Sequence, residues 1–240
     1  MSFEDPVDEK RRQLLLAMLG AGVLGATYGA PAMGQLAVPA PGPLPAGRSI
    51  YRLDGDASIN GQPATLSATI RPGDEITTGP RSRIVFAVEQ DAFLVRENSR
   101  VQLEAPNAVI STVRMLTGAL LSVFGRREQP LRLATSVATI GIRGTGVYIE
   151  SDPEQSYVCT CYGETQLQTT DDPSISETII SQQHDAPRYI LAPGAASNRI
   201  QPAPFVNHTD DELVMLEALV GREPPFAVFG EGYEGPRIRY

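Results

Sequence analysis

Residues 83–104 read RIVFAVEQDAFLVRENSRVQLE and carry the clearest structural pattern in the chain. Ile84, Phe86 and Val88 fall at every second position, and residues 93–103 repeat this alternation with a short polar break. Because successive side chains of a β-strand point to opposite faces, a period of two predicts strands with one apolar face. The stretch therefore predicts neighbouring β-strands rather than an amphipathic helix.

The same strand-like sequence pattern extends from Ile50 to Leu191. Short runs rich in Val, Ile, Leu, Thr and Tyr are separated by turn signals such as Asn60-Gly61. These signals recur about every eight to twelve residues, which is the spacing of a sandwich or roll. With 240 residues, of which 42% are hydrophobic, the chain is long enough for one domain with a substantial core. The sequence predicts an all-β sandwich or β-roll of short strands over residues 49–192.

One short amphipathic helix is predicted near the C-terminus, within an extension that spans residues 193–240. Thr209 and Glu212 form a capping box, in which each side chain satisfies a backbone amide of the first turn. An apolar stripe follows at three- and four-residue spacing, and Gly221 gives a stop signal. The predicted helix covers residues 209–220.

Residues 1–32 have the pattern of a secretory signal peptide. Lys10-Arg11-Arg12 gives a positive patch, an apolar run follows as the signal helix, and Ala30-Pro31-Ala32 supplies small residues at its end. The paired arginines leave two export routes open, the twin-arginine route and the general route. An uncleaved inner-membrane anchor is the alternative, although the run is shorter than the ~20 apolar residues of a spanning helix. We expect a periplasmic protein with a Pro/Gly-rich linker at residues 33–48.

The charge balance and the motif content exclude several function classes. Lys and Arg number 20 against 28 Asp and Glu, so the formal net charge is −8. This balance argues against a phosphate-neutralising surface for nucleic acids. The sequence has no Gly-x-Ser-x-Gly elbow, phosphate loop or His-Glu-x-x-His motif. We therefore expect neither nucleic-acid binding nor enzymatic activity.

Two motifs resemble the FecR family of bacterial periplasmic domains. Residues 70–79, IRPGDEITTG, are similar to the family's Gly-Asp and Thr-Gly signature, and residues 137–147, VATIGIRGTGV, are similar to its GVRGT strand. The resemblance implies a structural role for the motif residues Gly73, Asp74, Thr78, Gly79, Gly141, Arg143, Gly144 and Thr145. We expect Arg143 to pair with a carboxylate or to cap carbonyls of a neighbouring strand, with ligand binding as the alternative.

The resemblance implies a periplasmic β module that signals through contact with an envelope protein. Typical members are inner-membrane regulators whose cytoplasmic helical segment controls an extracytoplasmic sigma factor. Here residues 1–13 precede the apolar run, which is too short for such a segment, so we do not expect the sigma-regulating function. The first functional prediction is a non-catalytic periplasmic signalling or protein-interaction module.

The two cysteines and two histidines of the chain form a candidate metal site, Cys159, Cys161, His184 and His208. In a strand, the two cysteines face the same side with Cα atoms about 6.6 Å apart. With two imidazoles they would supply the S2N2 ligand set that zinc or copper accepts. The histidines, however, lack close spacing in the sequence to the cysteine pair or to each other.

Two other interpretations of the cysteine pair stay open. An exported protein normally pairs its cysteines, yet a disulfide across one residue closes a small strained ring that is easily reduced and so redox-active. The thiols can also be buried as small hydrophobic groups. A metal-binding or redox-sensing protein is thus the first alternative function. The second is an envelope glycan-binding module with exposed Tyr148, Tyr157 and Tyr162 as its platform.

Overall fold

The computed structural model describes residues 41–127 and 131–229, and β-strands dominate this part of the chain. The strands are β1 (Ile50–Asp54), β2 (Ala57–Ile59), β3 (Gln62–Pro63), β4 (Glu75–Thr78), β5 (Arg83–Val88), β6 (Asp91–Val95), β7 (Arg100–Glu104), β8 (Thr112–Val123), β9 (Leu131–Ala134), β10 (Ala138–Ile142), β11 (Gly146–Ser151), β12 (Gln155–Thr169), β13 (Ser176–Ser181), β14 (Arg188–Leu191) and β15 (Ile200–Pro202). Within the described residues, one α-helix, α1 (Asp210–Leu219), and a 3-10 turn (Pro225–Phe229) follow them. The predicted all-β class with one short C-terminal helix is confirmed.

The strands form two layers, here called sheet 1 and sheet 2. Sheet 1 has the order β1-β5-β6-β8-β11-β12-β14-β15, and its neighbouring strands run antiparallel. Sheet 2 has the order β3-β2-β4-β7-β8-β9-β10-β12-β13, with β8 and β9 as a parallel pair. The long strands β8 and β12 therefore belong to both layers.

A glycine allows each long strand to pass from one layer to the other. β8 pairs within sheet 2 up to Thr117 and within sheet 1 from Gly118, whose φ is +89°. β12 changes layers at Gly163, whose φ is also +89°. A Cβ at Gly118 would lie 2.6 Å from the backbone Cα of Ser99. Glycine is required at these bends because other residues rarely adopt this φ.

Two apolar clusters lie on opposite faces of sheet 1. The main core lies between the sheets and includes Phe86 and Phe93, whose ring centroids are 5.0 Å apart. The second cluster lies on the outer face of sheet 1 and includes Val85, Leu94 and Leu121. Alternate residues of β5 and β6 supply the two clusters because successive side chains of a strand point to opposite faces. Sheet 1 is therefore buried on both faces.

Helix α1 covers the outer face of sheet 1. It begins at the predicted capping box, in which the Glu212 amide donates to the Thr209 hydroxyl and the Thr209 amide donates to the Glu212 carboxylate. Its buried face is formed by three leucines of the predicted apolar stripe, Leu213, Leu216 and Leu219. At ten residues the helix is too short to be stable alone, so this packing holds it in place.

The predicted signal peptide, residues 1–32, and residues 33–40 of the predicted linker lie outside the described residues. Residues 41–49 form a turn but no strand or helix, and the Leu44 amide donates to the Leu219 carbonyl over 3.3 Å. Among the described residues, no helix has the length and apolar character that crossing a bilayer requires. Export and periplasmic location stay predictions.

Candidate metal centre

The two cysteines lie side by side on the outer face of sheet 1. Cys159 and Cys161 are two positions apart in β12, so their side chains point to the same face. Neither residue has exposed surface, and both sulfurs are free thiols within the apolar cluster under α1. The strand thus presents two soft ligands in a closed environment.

His184 reaches the cysteines from the loop between β13 and β14. Its backbone is left-handed, with a φ of 51°, and its amide donates to the carbonyl of Cys161 over 2.9 Å. This hydrogen bond ties the loop to β12. The imidazole packs against Phe205 with the ring centroids 4.5 Å apart, and the residue is 8% exposed. The loop therefore holds a nearly buried imidazole beside the two sulfurs.

His208 reaches the site from the C-terminal part of the chain. It stands immediately before Thr209, the N-cap residue of α1, and it is fully buried. Its ring stacks on the ring of Tyr148, with centroids 4.5 Å apart and planes 21° apart. The stacking orients the imidazole, so the start of α1 carries a histidine directed into the sheet.

The four side chains converge on one small volume. Their ligand atoms all lie within 4.8 Å of one another. The Cys159 Sγ is 3.5 Å from the His184 Nδ1, and the Cys161 Sγ is 3.3 Å from the His208 Nε2. The two ring nitrogens are 3.1 Å apart. The structure therefore brings together all four residues of the predicted metal site.

Hydrogen bonds on the far side of each imidazole determine which nitrogen faces the site. His208 donates from Nδ1 to the Val206 carbonyl over 2.7 Å, and His184 donates from Nε2 to the Asp210 carboxylate over 2.9 Å. Because these oxygens accept, we assign a proton to each outer nitrogen, and the two inner nitrogens face each other. Two lone pairs 3.1 Å apart repel unless a cation, either a proton or a metal, lies between them.

Both outer hydrogen bonds are the kind that orient metal-bound histidines, whose second N–H usually donates to a carboxylate or a carbonyl. Asp210 is a candidate positioning residue that the sequence patterns did not indicate. Its other carboxylate oxygen accepts from the side-chain amide of Gln183 over 2.9 Å, so one acid in the first turn of α1 holds the His184 loop at two points. The sequence feature that could have indicated Asp210 is an acidic residue two positions after His208, at the start of a predicted helix.

The distances between ligand atoms agree with a tetrahedral site. With zinc–sulfur bonds of about 2.3 Å and zinc–nitrogen bonds of about 2.0 Å, a tetrahedron places two nitrogens about 3.3 Å apart and a nitrogen and a sulfur about 3.5 Å apart. The corresponding distances are 3.1 Å between the nitrogens and 3.3 and 3.5 Å between nitrogen and sulfur. Three of the six distances are therefore close to those of a tetrahedron, and because the four ligand atoms span up to 4.8 Å, the side chains would move inward to enclose one ion.

The surroundings of Cys159 also favour its thiolate, which is the form of cysteine that binds a metal. The pKa of the Cys159 thiol falls to about 4, chiefly because Cys161 hydrogen-bonds to it, with further hydrogen bonds from both imidazoles outweighing burial. Burial raises the pKa of Cys161 well above its usual value. Burial alone would lower the pKa of His184, but hydrogen bonds to Asp210 and Cys159 raise it to about 9. These pKa directions favour a thiolate at Cys159 beside a protonated His184, and a metal would replace that proton.

The motif residues that resemble the FecR family hold turns and strand ends. The Asp74 carboxylate accepts from the Arg71 amide and from the Asn60 side chain, each over 2.7 Å. The buried Thr145 hydroxyl donates to the Glu164 carbonyl over 3.0 Å. These contacts connect neighbouring backbone segments.

Among the other motif residues, Thr78 acts through a side-chain hydrogen bond, and two of the glycines act through their backbone conformation. The Thr78 hydroxyl accepts from a backbone amide over 3.0 Å. Gly73 and Gly144 have positive φ angles of 100° and 67°, whereas Gly79 and Gly141 do not. The motif therefore contains two positions where the backbone conformation itself calls for glycine.

The expectation that Arg143 pairs with a carboxylate or caps carbonyls is wrong. Its side chain is exposed and makes no hydrogen bond or ion pair with the residues that the structure describes. β10 ends at the buried Ile142, and Arg143 begins the bend toward β11, so its side chain points to solvent. It lines a surface cavity together with Glu164 and Gln166.

The expectation of an exposed tyrosine platform for glycans is also wrong. Tyr148, Tyr157 and Tyr162 are at most 4% exposed, because α1 and the chain before it cover the outer face of sheet 1. Burial raises the pKa of all three hydroxyls above the usual value. These rings form the apolar wall of the cysteine–histidine site instead of a binding surface.

No protein-family model matches the chain, and no curated relative matches it. Two solved structures are similar in part. They are crystal structures, at 1.65 and 2.50 Å resolution, of a candidate anti-sigma factor from Parabacteroides distasonis ATCC 8503. The TM-score is 0.44 for both, the sequence identities are 12% and 10%, and the match covers 54% of this chain and 58% of theirs. At these values the similarity assigns neither a family nor a function to this chain.

Proposed function

We propose that this chain is a metal-binding protein in which Cys159, Cys161, His184 and His208 hold one Zn2+ or Cu+ ion. The proposal depends on one observation: two imidazole nitrogens face each other over 3.1 Å beside two sulfurs, and each ring is held in that orientation by an outer hydrogen bond. Apolar packing alone does not require this arrangement. A cation at its centre would satisfy all four ligands.

The ligand chemistry narrows the choice of metal. A tetrahedral set of two thiolates and two imidazoles is typical of zinc, and soft thiolates also select Cu+. Four protein ligands fill the coordination shell and leave no position for water or substrate, which is the pattern of structural rather than catalytic sites. The site therefore supports a non-catalytic role for the metal.

Metal binding can be tested on the purified chain under reducing conditions. We expect one Zn2+ or one Cu+ per chain after desalting, as measured by elemental analysis. With Co2+ as a spectroscopic probe, we expect the strong absorption of a tetrahedral ion and a sulfur-to-cobalt charge-transfer band. Substoichiometric metal, or a cobalt spectrum without the sulfur band, would contradict the proposal. A disulfide between the two cysteines in protein taken from its native compartment would contradict it too.

We also propose that the metal centre belongs to an exported module that signals through contact with an envelope protein. The proposal is supported by the signal-peptide pattern of residues 1–32 and by the FecR-like motifs at residues 70–79 and 137–147. This function and metal binding are compatible, since none of the motif residues is one of the four candidate ligands.

Export can be tested by fusing residues 1–40 to a reporter enzyme that is active only outside the cytoplasm. We expect an active reporter, and we expect the activity to be lost when residues 14–30 are deleted, because the apolar run is what the export machinery recognises. Replacement of both Arg11 and Arg12 by lysine distinguishes the two routes, since the twin-arginine route requires the pair. A reporter that stays in the cytoplasm would contradict the export proposal.

A further inference from the structure

The four candidate ligands come from three separate parts of the chain. Cys159 and Cys161 belong to β12, His184 belongs to the β13–β14 loop, and His208 belongs to residues 203–227, here called the C-terminal segment. An ion bound to all four therefore connects the C-terminal segment to the body of the sandwich. Asp210 strengthens this connection, because it joins the first turn of α1 to His184.

The C-terminal segment covers an apolar surface that belongs to the sheet. Its leucines on α1 pack into the same cluster as Val85, Leu94 and Leu121 from three strands of sheet 1. Tyr148 and Tyr157 complete that surface, and the Tyr157 hydroxyl donates to the Pro204 carbonyl over 2.9 Å. Undocking of the segment would expose a continuous apolar face, the kind of surface that protein partners recognise.

Without the metal, the segment is held by the leucine contacts of α1 and by hydrogen bonds such as that from the Arg222 guanidinium to the Gln90 carbonyl over 2.6 Å. Residues 203–209 form no helix or strand, and α1 has ten residues, fewer than an isolated helix needs. A partly exposed ion pair joins Arg96 to Glu212 over 3.0 Å at the start of the helix. Such a pair contributes little by itself. The contact between His208 and His184 adds a buried polar link between the segment and the body of the sandwich.

We infer that metal occupancy of the Cys159–Cys161–His184–His208 site controls whether the C-terminal segment stays docked on the outer face of sheet 1. This inference rests on the proposed metal-binding function. The docked chain offers four ligands and the undocked chain offers three, so the metal binds the docked state more tightly. By thermodynamic linkage, bound metal shifts the equilibrium toward the docked state by the ratio of the metal affinities of the docked and undocked states. Loss of the metal uncovers the apolar face of the sheet.

The inference can be tested by hydrogen exchange on the full chain, loaded with Zn2+ or stripped with a chelator. We expect the amides of α1 to exchange at least tenfold faster without the metal, because release of the segment breaks the helix contacts. The amides of β7, which lies in sheet 2 away from the site, serve as the control and keep their rates. An apolar dye should bind the stripped protein and not the loaded one.

The outcomes separate the inference from the proposed function. If the chain binds one Zn2+ and the α1 rates do not change, the inference is wrong and the metal-binding function stands. If the chain binds no metal, the proposed function fails and the inference fails with it. Elemental analysis of the same samples distinguishes the two results.

A variant far from the ligands gives an independent test. Leu219→Ala removes a buried contact at the far end of α1 without changing a ligand, and linkage predicts that Zn2+ affinity falls at least tenfold. Leu66→Ala, at a half-exposed leucine outside the segment, is the matched control and should leave the affinity unchanged. Equal affinities for both variants would overturn the inference.

Discussion

Replacing Cys161 with serine is expected to lower the affinity for Zn2+ by more than about 100-fold. Substitution of a residue that only supports a metal ligand typically costs about 10–100-fold in affinity, so loss of a ligand itself should exceed that range. Serine keeps nearly the same shape but provides a hard hydroxyl that remains protonated. Competition with a chromophoric chelator under reducing conditions measures the change.

The matched control for this variant is Thr160→Ser. Thr160 lies between the two cysteines in β12 and points to the opposite face, where its hydroxyl contacts that of Thr165 over 2.7 Å. Its substitution alters the same strand without touching the site, so Zn2+ affinity should remain that of the native protein. Affinities within tenfold of each other for both variants would mean that Cys161 is a structural thiol. Unfolding curves in chelator would show that both variants fold.

Replacing Asp91 with alanine is expected to destabilise the fold by about 3–5 kcal/mol, the usual cost of removing one partner from a buried ion pair. Asp91 has no exposed surface, and its two carboxylate oxygens each accept from the Arg127 guanidinium over 2.6 Å. It also accepts from the Gly125 amide over 3.0 Å. Burial raises the pKa of Asp91 despite the neighbouring positive charge of Arg127.

Glu104→Ala is the control for this experiment. Glu104 pairs with Arg114 over 2.7 Å, but both side chains are about a third or more exposed, so the loss should stay below about 1 kcal/mol. Urea unfolding of both variants gives the two free energies of unfolding. In the double variant Asp91→Ala/Arg127→Met, the buried charge is gone, and part of the lost stability should return. Equal costs for the two single variants would contradict the argument.

Most of the fold follows from local sequence patterns. The alternation at Ile84, Phe86 and Val88 reports strands because side-chain direction in a strand depends only on sequence position. The helix bounds follow from Thr209 and Glu212 because capping acts within one turn. The prediction for Arg143 failed because pairing of an arginine depends on which groups other strands bring near it, and none of the described residues does so.

The sequence named all four candidate ligands, but it predicted the relative position of the two cysteines only. The common face of Cys159 and Cys161 is a local property of β12, whereas their partners lie 25 and 47 positions away along the chain. His184 and His208 converge only after a loop and the start of α1 have packed onto sheet 1. The run Tyr157 to Tyr162 contains no charged residue, a pattern that indicates burial on both faces and argues against an exposed tyrosine platform.

The bends at Gly118 and Gly163 also constrain how the protein melts. Each long strand forms hydrogen-bond ladders in both layers, so detaching one layer would break ladders in the other. The strand that carries both sulfurs continues through Gly163 into the neighbouring layer. We therefore expect the two layers to lose their order together, as a single cooperative unit.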